Sequence, residues 1–137
     1  MSLFSFPEID TSVSVWFSLD GEEYEVNQFK IGFHQPVDPN KNQPEGEVRG
    51  GRLMVTLTQT VKSNIYGWGM KPWVKKDGAV LFKTGTSGVI FDVKFTNAYC
   101  ISLNRSVHPN AGLATTLLIS SETIIMNGIG FDNNWVK

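Results

Sequence analysis

The sequence is poor in the side chains that most often carry out chemistry. It has one cysteine, Cys100, and two histidines, His34 and His108, among 137 residues. A single cysteine excludes an internal disulfide bond, and neither cysteine nor histidine occurs at the spacing of a zinc site. No nucleophile motif surrounds any serine. The sequence therefore predicts no metal site and no enzymatic activity.

A strong net charge and long apolar runs are also missing. Twelve basic residues against thirteen acidic ones give a net charge of −1, so no overall field attracts nucleic acid or an anionic membrane. No apolar run approaches the length of a membrane span, and no basic segment followed by an apolar stretch opens the chain. We therefore expect a soluble protein that binds neither nucleic acid nor membrane and is made without a conventional export signal.

What the sequence does have is alternation. From Val89 to Leu103, apolar and polar side chains alternate with a period of two, which only a β-strand places on opposite faces. Asn97 is the one polar residue on the apolar side, so the segment predicts one very long strand, or two strands joined by a kink. The same alternation puts Cys100 on the polar face. Such a strand either bends around the corner of a barrel or sandwich, or reaches out to another chain.

Similar patterns predict the remaining elements. A long loop, 35–48, is rich in proline, and a polar loop is expected over 104–112. The sum is a mainly β fold, an antiparallel barrel or two-sheet sandwich of six to eight strands with one short flanking α-helix. The predicted elements are a strand over 13–19, a turn at Asp20-Gly21, a return strand from Tyr24 with a bulge at Asn27-Gln28, a strand over 53–58, a helix with Ser63 as N-cap, a turn at Lys76-Asp77-Gly78, a strand over 79–83, and one or two strands over 113–126.

The domain organisation is simple. Residues 1–12 show no periodicity and read as an N-terminal arm, and residues 13–137 form one domain. Trp135, near the C-terminus, is expected to pack against the protein or a neighbour and so to hold the tail.

Aromatic and basic residues interleave around the predicted helix, from Trp68 through Lys71, Trp73 and Lys75. One interpretation is a surface for sugars or nucleic acid. The other is a helix with tryptophans in the core and lysines at its solvated end. The tryptophans also support an alternative function for the whole chain, a small β-barrel module that binds a carbohydrate or other ligand.

Several short segments, in order, resemble the tube-forming protein family of type VI secretion systems, Hcp or TssD, in the branch found in Bacteroidetes. Their ordered combination carries the resemblance, which covers residues 13 to 136. The segments are Leu19-Asp20-Gly21-Glu22-Glu23-Tyr24, Arg49-Gly50-Gly51 after the proline-rich loop, a tryptophan-bearing helix, Lys76-Asp77-Gly78-Ala79-Val80-Leu81-Phe82, Val93-Lys94-Phe95-Thr96-Asn97-Ala98-Tyr99 and Asn133-Asn134-Trp135-Val136.

This resemblance implies a β-barrel with a helix on its flank, no cofactor and no catalytic residue. It implies that six copies close into a ring, and that rings stack into an inner tube inside a contractile sheath. The implied partners are other copies of the chain, a spike protein, the sheath and small effectors. It also implies synthesis in the bacterial cytoplasm and secretion through the apparatus.

On this basis the long loop and the strand after it are expected to make contacts between copies. An Arg that follows a polar loop more often bonds a partner than fills a core. The predicted interface residues are Pro36, Asp38, Pro39, Glu47, Arg49, Gly50, Gly51 and Trp135.

Overall fold

The computed structural model describes residues 13–85, 88–110 and 112–135. The predicted arm, 1–12, lies outside the described residues. Within the described part, seven antiparallel strands form a single sheet and one α-helix packs on it, which confirms the predicted mainly β fold. The elements are β1 Ser14–Leu19, β2 Glu22–His34, β3 Arg49–Leu57, α1 Ser63–Met70, β4 Lys76–Thr84, β5 Gly88–His108, β6 Gly112–Met126 and β7 Ile129–Asp132.

The sheet closes on itself. Its strand order is β3-β2-β1-β4-β5-β6-β7, and β3 pairs in addition with β6. Residues 115–120 of β6 pair with β3, whereas residues 123–126 pair with β7 on the same edge. Apolar side chains from alternate positions fill the space inside, which removes them from water. The most deeply buried large side chains include Phe17, Leu53, Val55, Trp68, Phe95, Leu117 and Ile119.

The first hairpin agrees with the sequence. Asp20 and Gly21 both have positive φ, 53° and 82°, which suits a tight turn between β1 and β2. The pairing of β2 with β3 shifts by one residue between Val26 and Gln28. This shift is the predicted bulge, and it keeps apolar residues on the inner side of β2 along its whole length.

The long alternating segment is one strand of 21 residues, β5. Asn97, the predicted kink, has a φ of 53°. Its backbone N–H donates to Asp77 Oδ1 at 2.8 Å, and its side-chain amide donates to Glu122 Oε1 at 3.0 Å. Asparagine tolerates the left-handed region better than most residues, so these two bonds stabilise a bend without ending the strand.

The kink also changes which residues face inward. Phe95 and Ala98 are both buried, three positions apart, so the inner face shifts by one residue at Asn97. Cys100 therefore packs against the core and Tyr99 faces outward. The prediction that Cys100 lies on the polar face was wrong, because the positive φ changes the phase of the alternation.

One predicted turn and part of one predicted loop are strand instead. Lys76-Asp77-Gly78 opens β4, and a Cβ on Gly78 would lie 2.5 Å from the Phe95 ring. This glycine is therefore required for close packing rather than for a turn. Residues 104–108 continue β5, paired with the start of β6. The 104–112 loop prediction failed because these residues are exposed on both faces, so no apolar alternation marks the strand.

The helix forms where it was predicted, but its N-cap is Lys62 rather than Ser63, and no side chain caps it. Tertiary contacts stabilise it instead. Trp68 is buried, and its indole N–H lies 3.1 Å from the carbonyl oxygens of both Val74 and Ala98. Of the two interpretations of the tryptophan and lysine series, the core interpretation is confirmed for Trp68.

Candidate assembly surface

Two long strands, β2 and β5, each have a segment of edge that pairs with no other strand within the described residues. On one edge β2 pairs with β1 over residues 22–25, whereas on the other it pairs with β3 as far as His34. On one edge β5 pairs with β4 only as far as Ala98, whereas β6 follows the other to His108. An unpaired edge presents backbone N–H and C=O groups that another strand can pair with.

These two edges bound one four-stranded sheet. Segments 26–34 of β2, 49–57 of β3, 112–120 of β6 and 99–108 of β5 lie side by side in that order, each antiparallel to the next. We call this set the four-stranded sheet. Its successive Cα partners are Gly32, Arg52, Ser120 and Tyr99 in one row, and Val26, Leu57, Thr115 and Arg105 in another.

The two faces of the four-stranded sheet differ. One face packs into the core through buried side chains such as Leu53, Val55 and Ile119. No side chain of the other face, which we call the open face, is buried. The open face comprises Gln28, Lys30, Gly32, Arg52, Met54, Thr56, Tyr99, Ser102, Asn104, Thr116, Leu118 and Ser120.

An open cleft of about 710 Å³ lies at one end of the open face, between β2, β3, β6 and the C-terminal tail. Arg49 and Arg52 both line it, although residues three apart on a regular strand point to opposite faces. The pairing of β2 with β3 shifts between Gly32 and Phe33, and this extra residue turns Arg49 back toward the cleft. The cleft residues include His34, Arg49, Arg52, Ser120, Asn133 and Trp135.

The glycines of this bulge are required by the geometry. Gly50 has a φ of 120°, and a Cβ there would lie 2.4 Å from the carbonyl oxygen of Gly32. Gly51 has a φ of 77°, and its Cβ would lie 2.9 Å from Ile124 Cδ1. No other residue type avoids both the strain and the overlap. The two glycines of Arg49-Gly50-Gly51 thus allow the bulge that turns Arg49 toward the cleft.

The structure brings together only part of the predicted interface. Arg49, Gly50 and Trp135 line the cleft, and Glu47 lines a smaller neighbouring cleft of about 310 Å³ with Arg49. Gly51 lies beneath them and is buried. The role of these residues in contacts between copies stays a prediction.

The other predicted interface residues, Pro36, Asp38 and Pro39, belong to the long loop. Asp38 organises this loop, since its carboxylate accepts from the N–H of Asn40 at 2.8 Å and its carbonyl from the N–H of Asn42 at 2.9 Å. None of these three residues lines either of the two clefts.

Sequence reasoning missed the aromatic cluster beside the cleft. Trp135 stacks on Tyr99 with ring centroids 5.3 Å apart, which confirms that it packs against the protein. Trp73 meets the same tyrosine edge to face at 5.9 Å, yet it is 83% exposed and has a φ of 65°. Only the shift at Asn97 turns Tyr99 outward, so alternation alone gave no signal for this cluster.

The remaining chemistry of the described residues is limited. They contain no group of three or more histidine, cysteine, aspartate or glutamate side chains able to hold a metal ion. Burial raises the pKa of the Cys100 thiol above its usual value, which lowers its reactivity. Among the helices described, none is long and apolar enough to cross a membrane.

The protein is a β protein whose sheet closes on itself. Its open face lies between the unpaired edges of β2 and β5, and such edges are suited to strand pairing with another chain. The comparison with family models agrees with this class. The model of hemolysin coregulated protein Hcp (TssD) matches residues 11–136, and the chain belongs to that family. The resemblance seen in the sequence is confirmed.

Solved structures agree with the family. Hcp1 from Flavobacterium johnsoniae is 28% identical, with a TM-score of 0.81 over 88% of this chain and 99% of that one. Hcp1 from the E. coli EAEC 042 pathovar shares the fold at 15% identity, with a TM-score of 0.68 over 91% of this chain and 99% of that one. No curated protein matches the chain significantly.

The fold extends beyond Hcp proteins. The matching chain of an extracellular contractile injection system, the PVC sheath-tube complex, is 15% identical, with a TM-score of 0.59 over 90% of this chain and 92% of that one.

Proposed function

We propose that the chain is a structural, non-catalytic subunit of the inner tube of a type VI secretion or related contractile injection apparatus. Six copies close into a ring, and rings stack into the tube. The family supports a tube subunit. The single observation that carries the ring is the pair of unpaired edges on either side of the four-stranded sheet.

The strand directions suit a ring of identical copies. The four strands alternate in direction, so the outer strands β2 and β5 run antiparallel to each other. When copies stand side by side in one orientation, β5 of one meets β2 of the next as an antiparallel pair. Such a head-to-tail contact uses two different surfaces and closes into a ring when the rotation between copies allows it.

Further contacts follow from the predicted interface. We assign Glu47, Arg49, Gly50, Gly51 and Trp135 to contacts of the ring. We assign the exposed part of the long loop, with Pro36, Asp38 and Pro39, to neighbouring copies as well. The spike protein, the contractile sheath and small effectors are the further partners, and the subunit passes from the bacterial cytoplasm through the apparatus.

The ring is tested by light scattering coupled to size-exclusion chromatography, with negative-stain micrographs of the same peak. A six-fold mass with hollow rings is expected, whereas a monomer at every concentration and salt tested would remove the proposal.

Proline substitution tests the edge itself. Along β5, successive backbone N–H groups point alternately toward β6 and toward the free edge. Asn104→Pro and Arg105→Pro therefore remove one N–H of each kind. One variant should lose thermal stability, and the other should melt almost like the parent yet remain monomeric. Rings from both variants would show that this edge does not join copies.

A second function rests on the exposed Trp73. Beside it lies an open pocket of about 290 Å³, lined by residues including Pro72, Tyr99 and Ile101. An exposed aromatic face beside an apolar pocket suits a carbohydrate or other small ligand. Titration of glycans against tryptophan fluorescence, with Trp73→Ala as control, tests this function, and no change in fluorescence would count against it.

A further inference from the structure

We propose that the open face of the four-stranded sheet is a cationic surface that selects acidic polypeptide cargo for the bore of the tube. This inference rests on the proposed ring. Segments 26–34, 49–57, 99–108 and 112–120 contain no aspartate or glutamate, although the chain has thirteen such residues. The charges of the chain are therefore segregated, and the four-stranded sheet carries only positive ones.

The cations of the open face and of the cleft at its end are available to a partner. Lys30, Arg49 and Arg52 are exposed. The ion pairs found within the described residues join other lysines to acids elsewhere, namely Lys62 to Glu22, Lys76 to Asp20 and Lys83 to Glu23. Arg105 is the remaining cation of the sheet, but it lies over the Tyr66 ring and donates to its hydroxyl oxygen. Three cations per copy are thus free to meet an anion.

The shape of the molecule puts this face inside a ring. Strands β1 and β4 and helix α1 cover the opposite face of the four-stranded sheet, and the open face carries no further layer among the described residues. When identical copies close a ring, the thicker layer needs the larger circumference and lies outside. The open face then lines the bore, and every copy repeats the same three cations around it.

The cleft makes the surface selective for carboxylates. Two guanidinium groups, Arg49 and Arg52, face one open space with the hydroxyl of Ser120 and the amide of Asn133. A guanidinium group pairs with a carboxylate through two parallel hydrogen bonds. No acidic side chain lines this cleft, although Glu47 and Asp132 line the smaller neighbouring cleft with Arg49.

The rest of the face favours a polypeptide over a nucleic acid. Met54 and Leu118 are half-buried apolar neighbours among the cations, which matches the mixed character of a protein surface. Tyr99, the one aromatic residue in the rows of the open face, is already stacked by Trp135, so its ring is not available to stack a base.

The test uses assembled protein and measures fluorescence anisotropy of a labelled glutamate-rich peptide, a lysine-rich peptide of equal length, and a single-stranded oligonucleotide. Lys30→Gln with Arg52→Gln removes two charges from the open face. The matched control, Lys62→Gln with Lys94→Gln, removes two charges outside the four-stranded sheet and the long loop. Light scattering on the same samples reports whether rings are present.

We expect the glutamate-rich peptide to bind, and to bind about tenfold more weakly to the open-face variant, because close charge pairs at an interface contribute this much or more. The control should bind like the parent, and added salt should weaken binding. If the open-face variant no longer forms rings, Lys30→Gln alone replaces it, with a smaller loss expected.

Equal binding by the open-face and control variants, with rings intact, would overturn the inference and leave the tube proposal standing. Tighter binding of the oligonucleotide, or of the lysine-rich peptide, would do the same. Absence of rings in the parent protein would remove both, because the bore exists only in a ring.

Discussion

Thr115 is a buried residue with an unsatisfied polar atom. Its hydroxyl oxygen finds no hydrogen-bond partner within the described part of the chain, and the residue is 0% exposed. Its neighbour Thr116 differs, since its hydroxyl lies 3.1 Å from that of Thr56 across the strand pair. An unpaired buried hydroxyl destabilises the folded state, whereas a paired one roughly offsets its desolvation.

Replacing Thr115 by valine, which has the same shape, should raise the free energy of unfolding by about 1 kcal/mol. Thr116→Val should lower it, because Thr56 loses its partner. Denaturant unfolding of both variants under conditions where copies are dissociated measures the difference. A loss of stability in Thr115→Val would mean that the hydroxyl has a partner after all.

At the scale of the element, β5 explains both the success and the failure of sequence reasoning. Asn97 marked the kink because it was the one polar residue in an apolar series. The change of face was invisible, because a second shift near Ile101, between Cys100 and Ser102 in the pairing with β6, restores the phase. Alternation of apolar and polar residues shows that a segment is a strand. Two compensating shifts leave this pattern unbroken, although the residues between them point to the opposite face.

Substitution of Asn97 separates the two contributions to the kink. Asn97→Gly keeps the positive φ at no steric cost but loses the bond to Glu122. Asn97→Ala loses that bond and also strains the backbone, so it should be less stable than the glycine variant by about 1 kcal/mol. Thermal or denaturant unfolding ranks the three proteins. Equal stability of the two variants would mean that the backbone at this position relaxes.

At the scale of the whole molecule, Arg49 distinguishes folding from assembly. It is exposed and belongs to none of the ion pairs within the described residues. Arg49→Glu should therefore weaken ring formation much more than it lowers the melting temperature. Lys94→Glu, with the same change of charge outside the four-stranded sheet, serves as the control. A collapse of folding without a separate defect in assembly would contradict the assignment.

The candidate surface was predicted in pieces. Arg49 and Trp135 were named from the sequence, and the structure places both at one cleft. The unpaired edges could not be predicted from the sequence. They depend on which residues of each strand are paired, and those pairings join distant parts of the chain. The bare face between the edges was hidden for the same reason.

The pairing of β3 with β6 also determines when the four-stranded sheet can form during synthesis. It joins residues 52–57 to residues 115–120, so the four-stranded sheet cannot form until β6 has left the ribosome. Contacts between such distant segments form late in folding. A nascent chain that has formed only β2 and β3 therefore lacks the complete four-stranded sheet with which it could bind another copy. The contact proposed between copies therefore becomes available only after β6 has been synthesised.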